Sequence, residues 1–240
     1  MWSETFEAGS PLHLIVASLC LGVMAGASIL GARWRRRAPL RERALRIAWI
    51  ALLIPFQIAS VGYWFLPGNY DITVSLPIQL CDLVVWLAPL GLLCTWRWPR
   101  TLLYFLGIGL SAWAFFAPVL RKGPASPVFW LFWIGHVQIV GTGVYVAAAM
   151  GYRPRLRDVV VATGAGVAYL AVILPFDILT GLDYGYVGRE TTSVVGALGP
   201  WPLRVVLLVP LVCTVFVLLW VPWAAAARWS PASEAETADT

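Results

Sequence analysis

Charge is the scarcest property of this sequence. Of its 240 residues, 12% are Asp, Glu, Lys or Arg and 60% are hydrophobic, with a mean hydropathy of +0.79. A soluble globular domain carries about 25% charged residues, so a water-soluble fold is excluded. No polar block is long enough to form a second domain. Residues 1–229 read as one membrane domain, and 230–240, rich in Ala, Ser and acids, as a disordered cytoplasmic tail. Lysine is almost missing, with Lys122 alone, so the net charge of +5 is an arginine charge. Those arginines lie in short loops between apolar runs, which marks topology and argues against nucleic acid as a partner. Histidine occurs only at His13 and His136. CxxC, HxxxH and HExxH spacings are absent, so neither a metal nor another cofactor is expected. The cysteines Cys20, Cys81, Cys94 and Cys213 all fall in apolar stretches, which speaks against a disulfide framework. The first ten residues hold Glu4 and Glu7 and no Lys or Arg. They lack the positive start of a cleaved signal peptide, so the first span reads as a retained helix.

What the sequence has in abundance is apolar length. About 20 residues of helix cross the roughly 30 Å hydrocarbon layer. Seven stretches qualify, near Pro11–Ala32, Ala44–Leu66, Leu76–Thr95, Pro99–Leu120, Pro127–Met150, Leu156–Thr180 and Trp201–Ala227. The expected fold is therefore all-α, a polytopic membrane bundle of about seven transmembrane helices in the cell membrane. With the N-terminus out and the C-terminus in, thirteen of the seventeen basic residues are cytoplasmic, and Arg121, Lys122, Arg189 and Arg204 are outside. The Arg33–Arg46 segment dominates that asymmetry. Many of the 14 Trp residues fall near span ends, where indole rings favour the interface. The segment Gly181–Pro200 on the outer side is aromatic and apolar as well as polar, and reads as a lid or re-entrant cover.

Polar groups inside spans are costly and are functional candidates by default. Here they cluster toward the outer side: Gln57 on the second span, Gln79, Cys81 and Asp82 at the start of the third, His136 and Gln138 on the fifth, and Asp177 at the end of the sixth. Cys81 lies roughly 8 Å and His136 roughly 14 Å below the starts of their spans, a difference of about one turn. A thiol beside an imidazole makes a nucleophile with its base. Asp82 and Asp177 are both candidates to orient the imidazole. Gln57, Gln79 and Gln138 are possible oxyanion or headgroup ligands, and Arg121 and Arg189 are placed to meet lipid phosphate. His13, at a span start, reads as interfacial. The same residues also permit a non-enzymatic transporter or receptor with an outward-facing polar cavity, or a purely structural membrane partner.

The segment Leu76-Pro77-Ile78-Gln79-Leu80-Cys81-Asp82, the single His136 two spans later, Gly151-Tyr152-Arg153-Pro154 and Leu198-Gly199-Pro200-Trp201-Pro202 together resemble the bacterial YwaF-like integral membrane proteins. These are similar to the eukaryotic transmembrane protein 164 family, whose eukaryotic member is an acyltransferase acting on lyso-ether phospholipids. The resemblance implies a lipid acyltransferase or hydrolase with membrane lipids as partners, a phospholipid donor and a lysolipid acceptor. It implies Cys81 as nucleophile and His136 as general base. Relatives often carry His where this chain has Gln79, and Asn where it has Asp183.

Overall fold

The structure is a computed structural model that describes residues 3–228; the expected tail at 230–240 lies outside the described residues. Its long helices begin where the sequence supplies starts. Ser10 accepts a bond from His13 N–H at 3.2 Å ahead of Pro11, opening α1 (Pro11–Arg37), and Pro39 opens α2 (Pro39–Trp64) after the break at Ala38. Ser126 likewise accepts from Val128 N–H at 3.3 Å ahead of Pro127. A serine side chain satisfies an orphan N–H, and proline at the first position loses no bond. Short helices α3 (Leu80–Val84), α4 (Leu87–Leu93) and α5 (Arg97–Leu102) follow. The chain continues as a π-helical stretch, Leu103–Ile108, and a 3-10 turn, Ser111–Phe115. Three long helices complete it: α6 (Pro127–Ala148), α7 (Leu156–Thr180), closed by Gly181 at φ 74°, and α8 (Leu203–Arg228). A left-handed residue of this kind is where glycine is favoured.

Among the described residues the fold is all-helical apart from one isolated bridge, Thr5 to Lys122. Five helices, α1, α2, α6, α7 and α8, are long and apolar enough to cross a membrane. Where the third and fourth of the seven single spans were expected, the chain is broken. Leu76–Thr95 becomes an irregular lead-in, α3 and α4, and Pro99–Leu120 becomes part of α5, the π-helical stretch and the 3-10 turn. Pro89 accounts for the first break. It offers no N–H to Val85, four residues back, and its ring crowds that carbonyl, so the helix is interrupted at Val85–Trp86.

Position explains why breaks are tolerated there. Backbone polar groups exposed to lipid must be bonded within their own helix, whereas irregular backbone survives only when shielded by protein. Val84, Val85, Ala88 and Leu103 to Gly107 are buried. The unbroken helices α1, α2, α7 and α8 bury only 11–22% of their most apolar windows, while α6 buries 56% and is the central helix. Their exposed Leu, Val and Ile side chains are the surface that lipid covers.

Close approach between α6 and the π-helical stretch depends on glycine. A Cβ on Gly143 would lie 2.9 Å from the Leu103 carbonyl oxygen, and one on Gly107 would lie 3.2 Å from Ile139 Cγ2. At one end of the bundle Arg97 pairs with Asp158 at 2.9 Å, joining α5 to the start of α7, and Tyr104 O–H donates to the Leu219 carbonyl of α8 at 3.0 Å. At the other end His13, at the start of α1, is buried against protein. Its Nε2 lies 3.1 Å from the Phe115 carbonyl, and its Nδ1 accepts from Gly9 N–H at 2.9 Å.

Gly143→Ala must push against backbone and is expected to destabilise the bundle by about 1–3 kcal/mol. Gly135→Ala on the same helix meets nothing within 4 Å and should be neutral. Denaturant titration of the two purified variants in detergent tests the difference; equal midpoints would refute the close-approach account.

Candidate active site

The segment leading into α3 has no regular structure of its own and is held by side chains from elsewhere. Tyr184 O–H donates to the Ile72 carbonyl at 2.6 Å and accepts from Leu76 N–H at 3.0 Å. Tyr169 O–H of α7 donates to the Ile78 carbonyl at 3.0 Å. Gln79 then starts α3: its N–H donates to Asp82 Oδ2 at 3.2 Å, and its side-chain oxygen accepts Gly185 N–H at 2.8 Å. Asp177 accepts Tyr184 N–H at 3.0 Å. Each such bond contributes about 0.5–1.5 kcal/mol net. Together they fasten the 183–188 loop over the start of α3, above an apolar cluster of Ile173, Tyr184, Val187 and Val205.

Cys81, partly buried, sits in the first turn of α3, where backbone N–H groups have no helical carbonyl to bond. Tyr169, bonded to Ile78, and Tyr186, next to the Gly185 that bonds Gln79, flank the start of this helix. Tyr186 has φ 61°, the only non-glycine residue with positive φ among the described residues. A bulky side chain in the left-handed region is strained by about 1–3 kcal/mol, and such strain gathers at functional sites. In the same loop, burial raises the Asp183 carboxyl above the usual carboxylate range, opposed by Thr191, by Gly188 N–H and by the Arg204 charge.

His136 is held on α6. Its Nδ1 lies 2.7 Å from the Phe132 carbonyl, and its ring lies 4.4 Å from the Phe132 ring and 6.4 Å from that of Phe115, centroid to centroid. A carbonyl can only accept, so Nδ1 carries the proton and the neutral ring keeps its lone pair on Nε2. That is the tautomer a general base requires.

The relation of Cys81 to His136 follows from packing one turn further on. Val84 Cγ1 and Ile139 Cγ2 both flank the same point on Gly107, at 3.9 and 3.2 Å from the Cβ position. Two turns beyond, Gly91 meets Val146 at 3.9 Å. The run from Val84 to Gly91 therefore lies alongside the run from Ile139 to Val146, in the same direction and with a constant sequence offset. Cys81 and His136 have that same offset. Each precedes its Gly107 neighbour by three residues, and helical residues three apart share a face. α3, which carries the thiol, packs against α6, which carries the imidazole. Among the described residues no hydrogen bond joins the two side chains.

Residues 8–220 match the family model described as the TMEM164 family. The chain belongs to the TMEM164 family. No curated protein and no solved structure matches it.

In this TMEM164-family chain the other candidate residues divide by location. Gln79, Asp82 and Asp177 gather around the α3 start and the loop. Neither acid is hydrogen-bonded to His136 among the described residues: Asp82 caps α3, Asp177 holds Tyr184, and the Phe132 carbonyl orients the ring. Gln138 is buried on α6 with its side-chain oxygen unpartnered, and Gln57 is buried on α2. Arg189 is exposed and stacks on Trp201 at 5.5 Å. Arg121 is exposed apart from this cluster, on the strand-like pairing where its carbonyl accepts Phe6 N–H at 2.9 Å. Sequence reasoning did not reach Tyr169, Tyr184, Tyr186 or Arg204. Arg204 is buried and donates to the Gly188 and Arg189 carbonyls, closing the loop from below. The only hint was the aromatic content of Gly181–Pro202; three of the four roles depend on long-range bonds to α3, α7 or the loop, and Tyr186 on a backbone angle.

Gln79→Ala removes the acceptor for Gly185 N–H. Loss of about 1 kcal/mol raises the open population about fivefold, and proteolysis tracks that population when opening is fast. Limited trypsin digestion should show a comparable rise in cleavage after Arg189 relative to cleavage after Lys122. An unchanged ratio would show that the bond does not hold the loop.

Proposed function

We propose that this chain is an integral membrane lipid acyltransferase, with Cys81 as nucleophile and His136 as base and acid. The observation that supports this most is the His136 imidazole, its Nδ1 turned to the Phe132 carbonyl and its Nε2 left to act as base, on the helix that packs against α3. The donor is a membrane phospholipid. Nε2 of His136 accepts the thiol proton as sulfur bonds to the ester carbonyl carbon. The carbonyl electrons move onto oxygen, which the Cys81 N–H in the first turn of α3 is available to hold. The carbon–oxygen bond to glycerol then breaks, the imidazolium proton goes to that oxygen, and a lysolipid leaves. A lysolipid hydroxyl reverses the sequence on the thioester, giving its proton to Nε2; the leaving sulfur recovers it. Water in place of the lysolipid gives hydrolysis. The 183–188 loop, covering the thiol, favours transfer by limiting water. Arg189, exposed beside the loop, supplies positive charge for the donor phosphate.

The same reading makes the two broken segments crossings, seven in all, with the N-terminus outside the cell membrane and the arginine-rich end inside. Lys122, exposed and the only lysine, offers a direct check. An impermeant amine reagent applied to intact cells should label Lys122. Labelling only after lysis would invert the orientation.

For the chemistry, the purified full chain is supplied with an acyl-labelled phospholipid and a lysolipid acceptor. Cys81→Ala and His136→Ala should each lower transfer by at least about a hundredfold. Full transfer by both the Cys81 and His136 variants would eliminate the mechanism. Substrate binding or transport that survives alkylation of Cys81, without acyl transfer, would favour a transporter or receptor instead.

A further inference from the structure

At the arginine-rich end, away from Cys81, Arg46 pairs with one buried carboxylate and Arg100 is fixed to the adjoining α4–α5 turn. Glu42, near the start of α2, is buried. It pairs with Arg46 at 2.8 Å and accepts the Tyr145 hydroxyl of α6 at 3.0 Å. Tyr145 reaches it across Gly31 of α1, where a Cβ would lie 2.6 Å from the phenol oxygen. Arg46 also donates to the Leu92 carbonyl at 2.6 Å, and Arg100 donates to the Gly91 and Cys94 carbonyls at 3.0 and 2.8 Å. Arg35 follows Gly31 by one turn on the same face of α1, the face that meets Tyr145.

One carboxylate does not balance three cations. Two of the arginines are tied to carbonyls at the α4–α5 turn and so cannot swing away from each other. Among the described residues Arg35, which is exposed, makes no hydrogen bond or ion pair, and Nη1 of Arg100 has no partner. Free guanidinium donors held beside one another match the oxygens of a phosphate group. The surroundings identify its source. Trp96, Trp98 and Leu93, 56%, 45% and 60% exposed, flank the turn that carries Arg100. Exposed indoles at the end of an apolar bundle mark the headgroup level, so an anion bound here has lipid chains beside it.

We propose that Arg35, Arg46 and Arg100 form a binding site for the phosphate of an anionic phospholipid in the leaflet at the arginine-rich end. Its acyl chains lie against Leu93 and Trp96. The site is independent of the acyltransferase reading and holds a structural or regulatory lipid whether or not Cys81 is catalytic.

Native mass spectrometry of the full chain, delipidated and then given phosphatidylglycerol or phosphatidylcholine with matched chains, tests it. One phosphatidylglycerol should be retained in preference to phosphatidylcholine. Arg35→Gln, which breaks no bond within the fold, should weaken that retention about fivefold, the scale for one basic residue near an anionic surface. Arg35→Lys should restore part of it. Arg36→Gln removes the same charge from the neighbouring position and should leave retention unchanged. Equal losses for Arg35→Gln and Arg36→Gln, or no preference between the lipids, would overturn the site in favour of diffuse surface charge. Displacement of the lipid by millimolar glycerol phosphate would overturn the lipid as its occupant.

Discussion

Backbone polar groups in lipid need partners within their own helix, and the rest of the structure depends on how this chain meets that requirement. The helices that face lipid, α1, α2, α7 and α8, are continuous. The only broken segments are shielded by them and by the central α6. Breaking a helix there frees carbonyls and N–H groups, and side chains meet part of that demand: Arg100 serves Gly91 and Cys94, Arg46 serves Leu92, and Tyr169 serves Ile78. The irregular backbone at the bundle centre is thus bonded from outside its own segment. It also starts a helix turn at Cys81, partway into the span the hydropathy predicts.

Glycine converts that arrangement into a register. Gly107 and Gly143 let the π-helical stretch press between α3–α4 and α6 closely enough that both flanking runs contact it at shared levels. A π-helical turn is uncommon and occurs often at functional sites. Here its consequence is geometric. It packs closely against α6 and touches α3 on its other side. The imidazole is oriented locally by the Phe132 carbonyl rather than by a carboxylate, which leaves Asp82 and Asp177 to organise the backbone around the thiol.

The two ends of the bundle are built differently. The end bearing the loop is held by bonds between side chains and backbone, those of Asp177 and Arg204 among them, with Tyr184 at its centre. The arginine-rich end is held by charged bonds, Arg97 with Asp158 and Arg46 with Glu42. Charge-assisted bonds there satisfy the α4–α5 turn and leave Arg35 free, so the same arginines that bias topology also shape a surface for phosphate.

Much of this was legible from the order of residues. Low charge and apolar length determined a helical membrane protein, and five of the seven expected spans are long helices because a continuous apolar run in lipid has no other way to satisfy its backbone. The cluster of Gln79, Cys81, Asp82 and Asp177 was also readable, because polar groups are costly inside spans wherever they fall. The breaks in the third and fourth spans were not readable: hydropathy measures transfer to lipid and carries no information on whether neighbouring protein shields a broken backbone. Nor were Tyr184 and Tyr186, whose roles come from bonds made more than a hundred residues away in sequence and from a left-handed backbone angle. The sequence by itself determined which residues have chemistry to offer. Only the tertiary structure decided which of them are tied together, because bonds such as Tyr184 to Ile72 and Gln79 to Gly185 join segments about a hundred residues apart.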